Sequence, residues 1–336
     1  MNVRALRLIA QSLFPLVAGV VVLWMLSKGL ASRPDWAVIL MVAGIDIILA
    51  VSLNVVNGFT GQFSIGHAGF MAVGAYTATK ITMAVRGLQI VGLSAALSAQ
   101  IFFLGALLAG MATAGIAGLI VGVPSLRLRG DYLAIVTLGF NEIIRVIIEN
   151  TPFLGQATGI SGLPPLTNFV WVGMGVIATV LAAKRLQGST HGRALLAIRE
   201  DEVAAEAMGV DTTGYKVRAF VIASAFAGLG GGLLVHLLQL CTPKSFTFIK
   251  SFEVVVMVVL GGLGSITGSV LAAFGLRIAL EWLREVAEYR MVMYALLLVF
   301  LMLARPTGLF GTREIWDMVP KLFGRRRAAP AAGGPV

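Results

Sequence analysis

WAVILMVAGIDIILAVSLNVV, residues 36–56, is long enough to cross the hydrocarbon core of a bilayer, and Asp46 is its one ionisable side chain. The run shows no period-2 alternation, so it is read as a membrane helix and not as a barrel strand. Working outward, further apolar runs lie near 12–26, 66–85, 91–123, 132–148, 168–183, 217–240, 252–281 and 291–304. Composition agrees with them. The chain has 336 residues, 58% hydrophobic and 12% charged, with a mean hydropathy of +0.91. A soluble domain has far more polar surface than this, so lipid takes the place of water and the backbone must satisfy itself in helices. The fold expected is an all-α polytopic membrane protein of about eight to ten transmembrane helices. A single cysteine, Cys241, excludes a disulfide framework within the chain and any cysteine-based metal cluster.

The formal charge of +10 marks topology rather than nucleic-acid binding. Placing 1–11, 124–131, 184–218 and the tail 305–336 in the cytoplasm assigns 16 of the 26 Lys and Arg residues to that side and 7 to the other. The domains expected are a cytoplasmic N-terminus at 1–11, a transmembrane body at 12–304 with a polar cytoplasmic connection at 184–218, and a basic cytoplasmic tail at 305–336. The run at 12–26 lacks a small-x-small cleavage site and is read as a retained anchor. In the tail, KLFGRRR (321–327) suits anionic membrane lipid better than nucleic acid.

Two stretches interrupt the apolar pattern. NGFTGQFSIGHAG (57–69) gathers Asn57, Thr60, Gln62, Ser64 and His67 among glycines, and GGLGSITG (261–268) places Gly261, Gly264, Ser265 and Thr267 inside the longest run of the C-terminal half. Irregular backbone at membrane depth is tolerated where protein or a water-filled cavity surrounds it, so both breaks are expected to face a translocation pathway, with free helix N-termini favouring a passing carboxylate. Parity agrees. Three runs follow the 184–218 connection, and the tail returns to the cytoplasm only if 252–281 is re-entrant from the outer side or forms two short spans. Elsewhere, the Gly118–Gly122 and Gly228–Gly232 spacings are read as close-packing sites between helices.

Ionisable residues inside spans are costly and call for partners. Glu142 and Arg145, at i and i+3, read as a self-neutralising pair, and Arg277 with Glu281 reads as another, one turn apart. Asp46 has no partner readable from spacing; Lys80 is the intramembrane cation of that half. No G-x-x-x-x-G-K-[S/T] run is present, so ATP is not handled here by a phosphate loop of that kind. The three histidines, His67, His191 and His236, lack metal-site spacing, and neither a metal nor a catalytic constellation is expected. GMGVIA (173–178) matches a dinucleotide fingerprint by chance, inside an apolar helix. In the 184–218 connection, Arg193 to Met208 reads as one amphipathic helix stopped by Gly209. Its four carboxylates and lack of Trp or Phe suit a groove on a protein better than a lipid surface.

Four ordered blocks resemble a known family: LNVVNGFTGQFSIGHAGFMAVGAYTA (53–78), LRLRGDYLAIVTLGFNEIIR (126–145), HGRALLAIREDEVAAEAMGV (191–210) and VVVMVVLGGLGSITGSVLAA (254–273). They are similar to the LivM-type permeases of branched-chain amino-acid ABC transporters. The resemblance implies a multi-pass subunit of the bacterial inner membrane that imports Leu, Ile or Val. Its implied partners are a LivH-type paralogous permease, two cytoplasmic ATPases that bind ATP and Mg, and a periplasmic binding protein. It also implies that Arg193, Arg199, Glu202, Ala205, Glu206, Ala207 and Gly209 belong to an ATPase-coupling loop of the EAA type, with the family's spacing loosened here so that Glu202 and Glu206 compete for the key position. Two alternatives stay open: a secondary carrier in which Asp46 or Glu142 binds the coupling ion, and a related cargo such as urea or a short amide.

Overall fold

The computed structural model describes residues 34–282, apart from 90, 91, 93 and 127–131, together with Val299, Gly308 and Gly311. The expected anchor at 12–26, the N-terminus at 1–11 and almost all of 291–336 lie outside the described residues. Helix α1 (Pro34–Asn57) opens on a proline whose missing N–H costs nothing at a helix start, with Asp35 in the first turn facing the positive end of the dipole. There follow α2 (His67–Ala84), α3 (Ala95–Ser125), α4 (Tyr132–Asn150) and α5 (Phe169–Gly188). Beyond them are two short helices, α6 (Thr190–Glu200) and α7 (Glu202–Ala207), then α8 (Thr212–Leu238), α9 (Phe248–Gly261) and α10 (Ile266–Trp282). Side-chain caps set several of these starts: Ser94 accepts from Leu97 N, Asn168 from Trp171 N and Asp211 from Gly214 N. Each such cap is worth about 1 kcal/mol.

Among the described residues, α1, α3, α5 and α8 are long and apolar enough to cross a membrane. The other long helices are shorter or more polar and pack beside them, so the expected eight to ten spans are not counted by this structure. The apolar run 252–281 divides in two. Its halves, 14 and 17 residues, reach only about 21 and 26 Å at 1.5 Å per residue, and they fold back on each other where Gly261 meets Gly268. Two short segments folded back in this way are compatible with both solutions to the parity problem.

Glycine decides how closely the core packs. Gly74 of α2, Gly110 of α3 and Gly228 of α8 meet backbone to backbone; a Cβ on Gly110 would lie 2.8 Å from the carbonyl oxygen of Gly74. Gly118 lies against Ser224, Gly122 against Phe220 and Gly232 against Leu107, which is the packing role expected of these spacings. A two-residue antiparallel ladder, Ile160 with Cys241 and Ser161 with Leu240, is a small departure from an all-helical chain. It ties the connection after α4 to that after α8. Arg86, after α2, reaches the same end by donating to the Gly162 carbonyl.

Candidate functional site

The two interruptions, about 200 positions apart in sequence, meet in space. Asn54, in the last turn of α1, joins them: its Oδ1 accepts from Gly264 N at 2.9 Å and its Nδ2 donates to the Ser265 carbonyl at 3.0 Å. Gly58 sits directly against the Gly264 amide, with no room for a side chain. From the other flank comes Arg199, in the last turn of α6, whose Nη1 donates to the Gly58 carbonyl at 3.0 Å. A Cβ on Gly264 would lie 2.6 Å from the same Nη1, and one on Gly61 would lie 3.2 Å from the arginine stem. The polar α6–α7 connection therefore touches both breaks.

After Gly61, whose φ of +68° turns the chain, residues 61–66 form neither helix nor strand until α2 begins at His67. The new helix starts inside the protein. Ala68 N is satisfied by Ser251 Oγ at 2.9 Å, Ile65 N by Thr137 Oγ1 at 3.1 Å and Ser64 N by Asn57 Oδ1 at 3.2 Å. In the second break Ser265 Oγ caps α10 by accepting from Gly268 N at 3.0 Å. Free helix N-termini were expected at both places; those particular amides are instead occupied by hydroxyls and an amide of this chain, because an unpaired buried N–H costs more than the side chain that satisfies it.

Placement separates the sequence-derived candidates. Asn57, Thr60, Ser64, His67, Gly261, Gly264 and Ser265 are buried, and Gln62 and Thr267 are half-buried. Thr60 bonds back to the Val56 carbonyl at 2.7 Å and His67 Nε2 meets Ser52 Oγ at 2.9 Å. The exposed positions of the two breaks are Gly61, Phe63 and Leu263, apolar residues that a search for polar lining passes over. Sequence spacing does not single out Ser52, Asn54, Thr137 or Ser251; for Ser52 and Asn54 the available signal is a polar residue in a largely apolar helix.

Beyond the breaks, Asp46 finds partners that spacing could not supply. Arg277 Nε reaches its Oδ2 at 2.7 Å and Lys250 Nζ its Oδ1 at 3.0 Å, with Glu253 3.2 Å from Lys250. Arg277, expected as the partner of Glu281, reaches Asp46 across 231 positions. Lys80 lies 3.9 Å over the ring of Phe153. Arg145 binds Glu142 as expected and also Glu149, both at 2.7 Å.

The expected single helix from Arg193 to Met208 is corrected to two. Asp201 breaks it by accepting from Val203 N and Ala204 N at 2.9 and 3.0 Å, as N-cap of α7. Helix α6 buries Leu195 and Ile198, and Arg193 is exposed. In α7, Ala205 is buried and Glu202 is tied to Lys216 of α8, itself 1% exposed. Glu206, Ala207 and Gly209 face outward beside Val203 and Met208, which are 64% and 84% exposed. Gly209, at φ +85°, ends the helix in the left-handed conformation that favours glycine.

Comparison with known proteins adds three relatives and a family. A family model described as branched-chain amino acid transport system / permease component matches residues 36–304. The high-affinity branched-chain amino acid transport permease protein LivM of Salmonella typhimurium is 38% identical over 300 residues, covering 79% of this chain and 67% of that protein. LivM of Escherichia coli is 37% identical over the same shares. LivH of Salmonella typhimurium is 25% identical over 290 residues, covering 80% of this chain and 92% of that protein. No solved structure matches the chain.

Proposed function

Because this chain belongs to the branched-chain amino acid transport permease family, in its LivM-type branch, we propose that it is the membrane subunit of an ATP-driven importer of Leu, Ile and Val. It does no chemistry of its own. A LivH-type permease completes the membrane body, two cytoplasmic ATPases supply the work with ATP and Mg bound to them, and a periplasmic binding protein delivers the amino acid. The setting is a bacterial inner membrane with the α6–α7 end in the cytoplasm.

The observation that carries this reading is the α6–α7 corner. Its base is fixed by buried Leu195 and Ile198 and by the Glu202–Lys216 pair, while Val203, Glu206 and Met208 project away from the body. A rigid, partly apolar knuckle held this way fits a groove on a protein motor. Glu206, exposed on α7 where Glu202 is half-buried, takes the key position of the coupling loop. The carrier reading loses support, since Asp46 is held by Arg277 and Lys250 and Glu142 by Arg145, which leaves neither carboxylate placed to bind a coupling ion.

The translocation path runs beside the two breaks, along Gln62, Phe63, Leu263 and Thr267, where it meets the partner permease. Most polar groups of the breaks are already satisfied within the chain, so the path holds its cargo weakly and affinity resides in the binding protein. Glu206→Lys and Gly209→Arg, made in the full transporter, are expected to cut ATP-driven uptake about tenfold or more, the effect of about 1.4 kcal/mol of lost docking energy, with membrane insertion intact. Normal uptake with unchanged ATPase copurification would remove the docking assignment. Labelled Leu, Ile and Val against urea in the same vesicles identify the cargo.

A further inference from the structure

We propose that Arg199 is a positioning residue that couples the α6–α7 corner to the seam between the two breaks, so that the Gly58–Gly264 contact yields when the corner moves. The inference rests on the ATP-driven import reading and adds to it the route by which movement enters the membrane body.

Three helices end around this arginine: α1 at Asn57, α6 at Glu200 and α9 at Gly261. Each presents the negative end of its dipole, and a cation there is stabilised by all of them. The guanidinium is half-buried, donates to the Gly58 carbonyl at 3.0 Å, and lies beside Gly264, while its stem packs on Gly61. Glycine at 61 and 264 is what lets the side chain in, and glycine at 58 is what lets the Gly264 amide close on α1. Asn54 stitches the same seam from within the membrane body, with 2.9 and 3.0 Å bonds across it. The seam thus has one fastener belonging to the body and one belonging to the α6–α7 corner.

The second fastener is well connected. Arg199 stands two residues before Asp201, the residue that caps α7, and α7 carries the outward Val203, Glu206 and Met208. A push on those side chains turns the Asp201 corner and pulls or releases Arg199 with no intervening flexible segment. Phe63 and Leu263, exposed on the two sides of the seam, would separate as the Arg199 contact is lost.

The test uses the complete transporter in proteoliposomes, with spin labels on cysteines at positions 63 and 263. In the wild-type complex the distance between labels is expected to differ between nucleotide-free and ATP-bound states. In Arg199→Ala that difference is expected to disappear and uptake per ATP hydrolysed to fall about tenfold, within the 5–150-fold typical of coupling between sites. Arg199→Lys, which keeps a charged donor, retains most of the ratio. If the Ala variant fails to assemble, the Lys and Gln variants decide: Lys retaining the ratio and Gln losing it supports the proposal, and equal ratios overturn it. A wild-type distance change that persists in Arg199→Ala with full coupling overturns this inference alone. A wild-type complex showing no ATP-driven uptake overturns the import reading, and this inference with it.

Discussion

Asp46 has both carboxylate oxygens committed, one to Lys250 and one to Arg277, and is 1% exposed. Glu253 balances the second cation, so two negative and two positive groups share one site among α1, α9 and α10. A buried ion pair of this kind is a weak stabiliser when intact and a strong destabiliser when halved, because the charge left behind stays out of water. Asp46→Asn leaves two cations facing one carboxylate and is expected to cost about 3–5 kcal/mol, seen as a lower unfolding midpoint of the purified chain in detergent. An unchanged midpoint would mean that water already reaches the cluster. The sequence announced the need, a lone carboxylate in an apolar run, but the partners lie 204 and 231 positions away, and no local spacing reports a pairing of that range.

At the level of helices, the glycines divide by what stands opposite them. Gly74 touches the backbone of Gly228, so Gly74→Val must drive α2 and α8 apart; the expected loss lies at or above the upper end of the usual overpacking cost of about 1–3 kcal/mol. Gly105, exposed in α3 with nothing near the Cβ position, is the opposite case, and Gly105→Ala is expected to gain about 0.5–1 kcal/mol from helix propensity. Thermal unfolding of both variants in the same detergent checks the contrast, and similar midpoints would show that helix spacing is set elsewhere. The α6–α7 corner shows the limit of periodicity. Apolar spacing runs through Asp201 as though one helix were present, yet its side chain competes for the amides of Val203 and Ala204 and wins, as short polar side chains do at helix starts.

For the whole molecule, the described connections sort into two groups. Arg86, Gly162, Ile160 and Cys241 gather at one end, and Gly58, Arg199 and Gly264 at the other, the same partition that Lys and Arg counts give for these segments. Thr158→Cys is therefore expected to react with an impermeant thiol reagent from outside spheroplasts, and Arg193→Cys only after permeabilisation; the reverse pattern would invert the orientation. Cys241 does not confuse the assay, since it is buried, burial pushes its thiol up to about 12, and the protonated form is a poor nucleophile. By itself the sequence determined the medium, the helical class, most helix positions, the two breaks and the family, because each is written in hydrophobicity or in motifs a few residues long. Only the tertiary structure decided that the two breaks form one seam, that Arg199 reaches it, and that the polar groups there turn inward to each other. Those are long-range contacts, chosen by which surfaces pack and which buried donors need acceptors, and no window of the chain contains both partners.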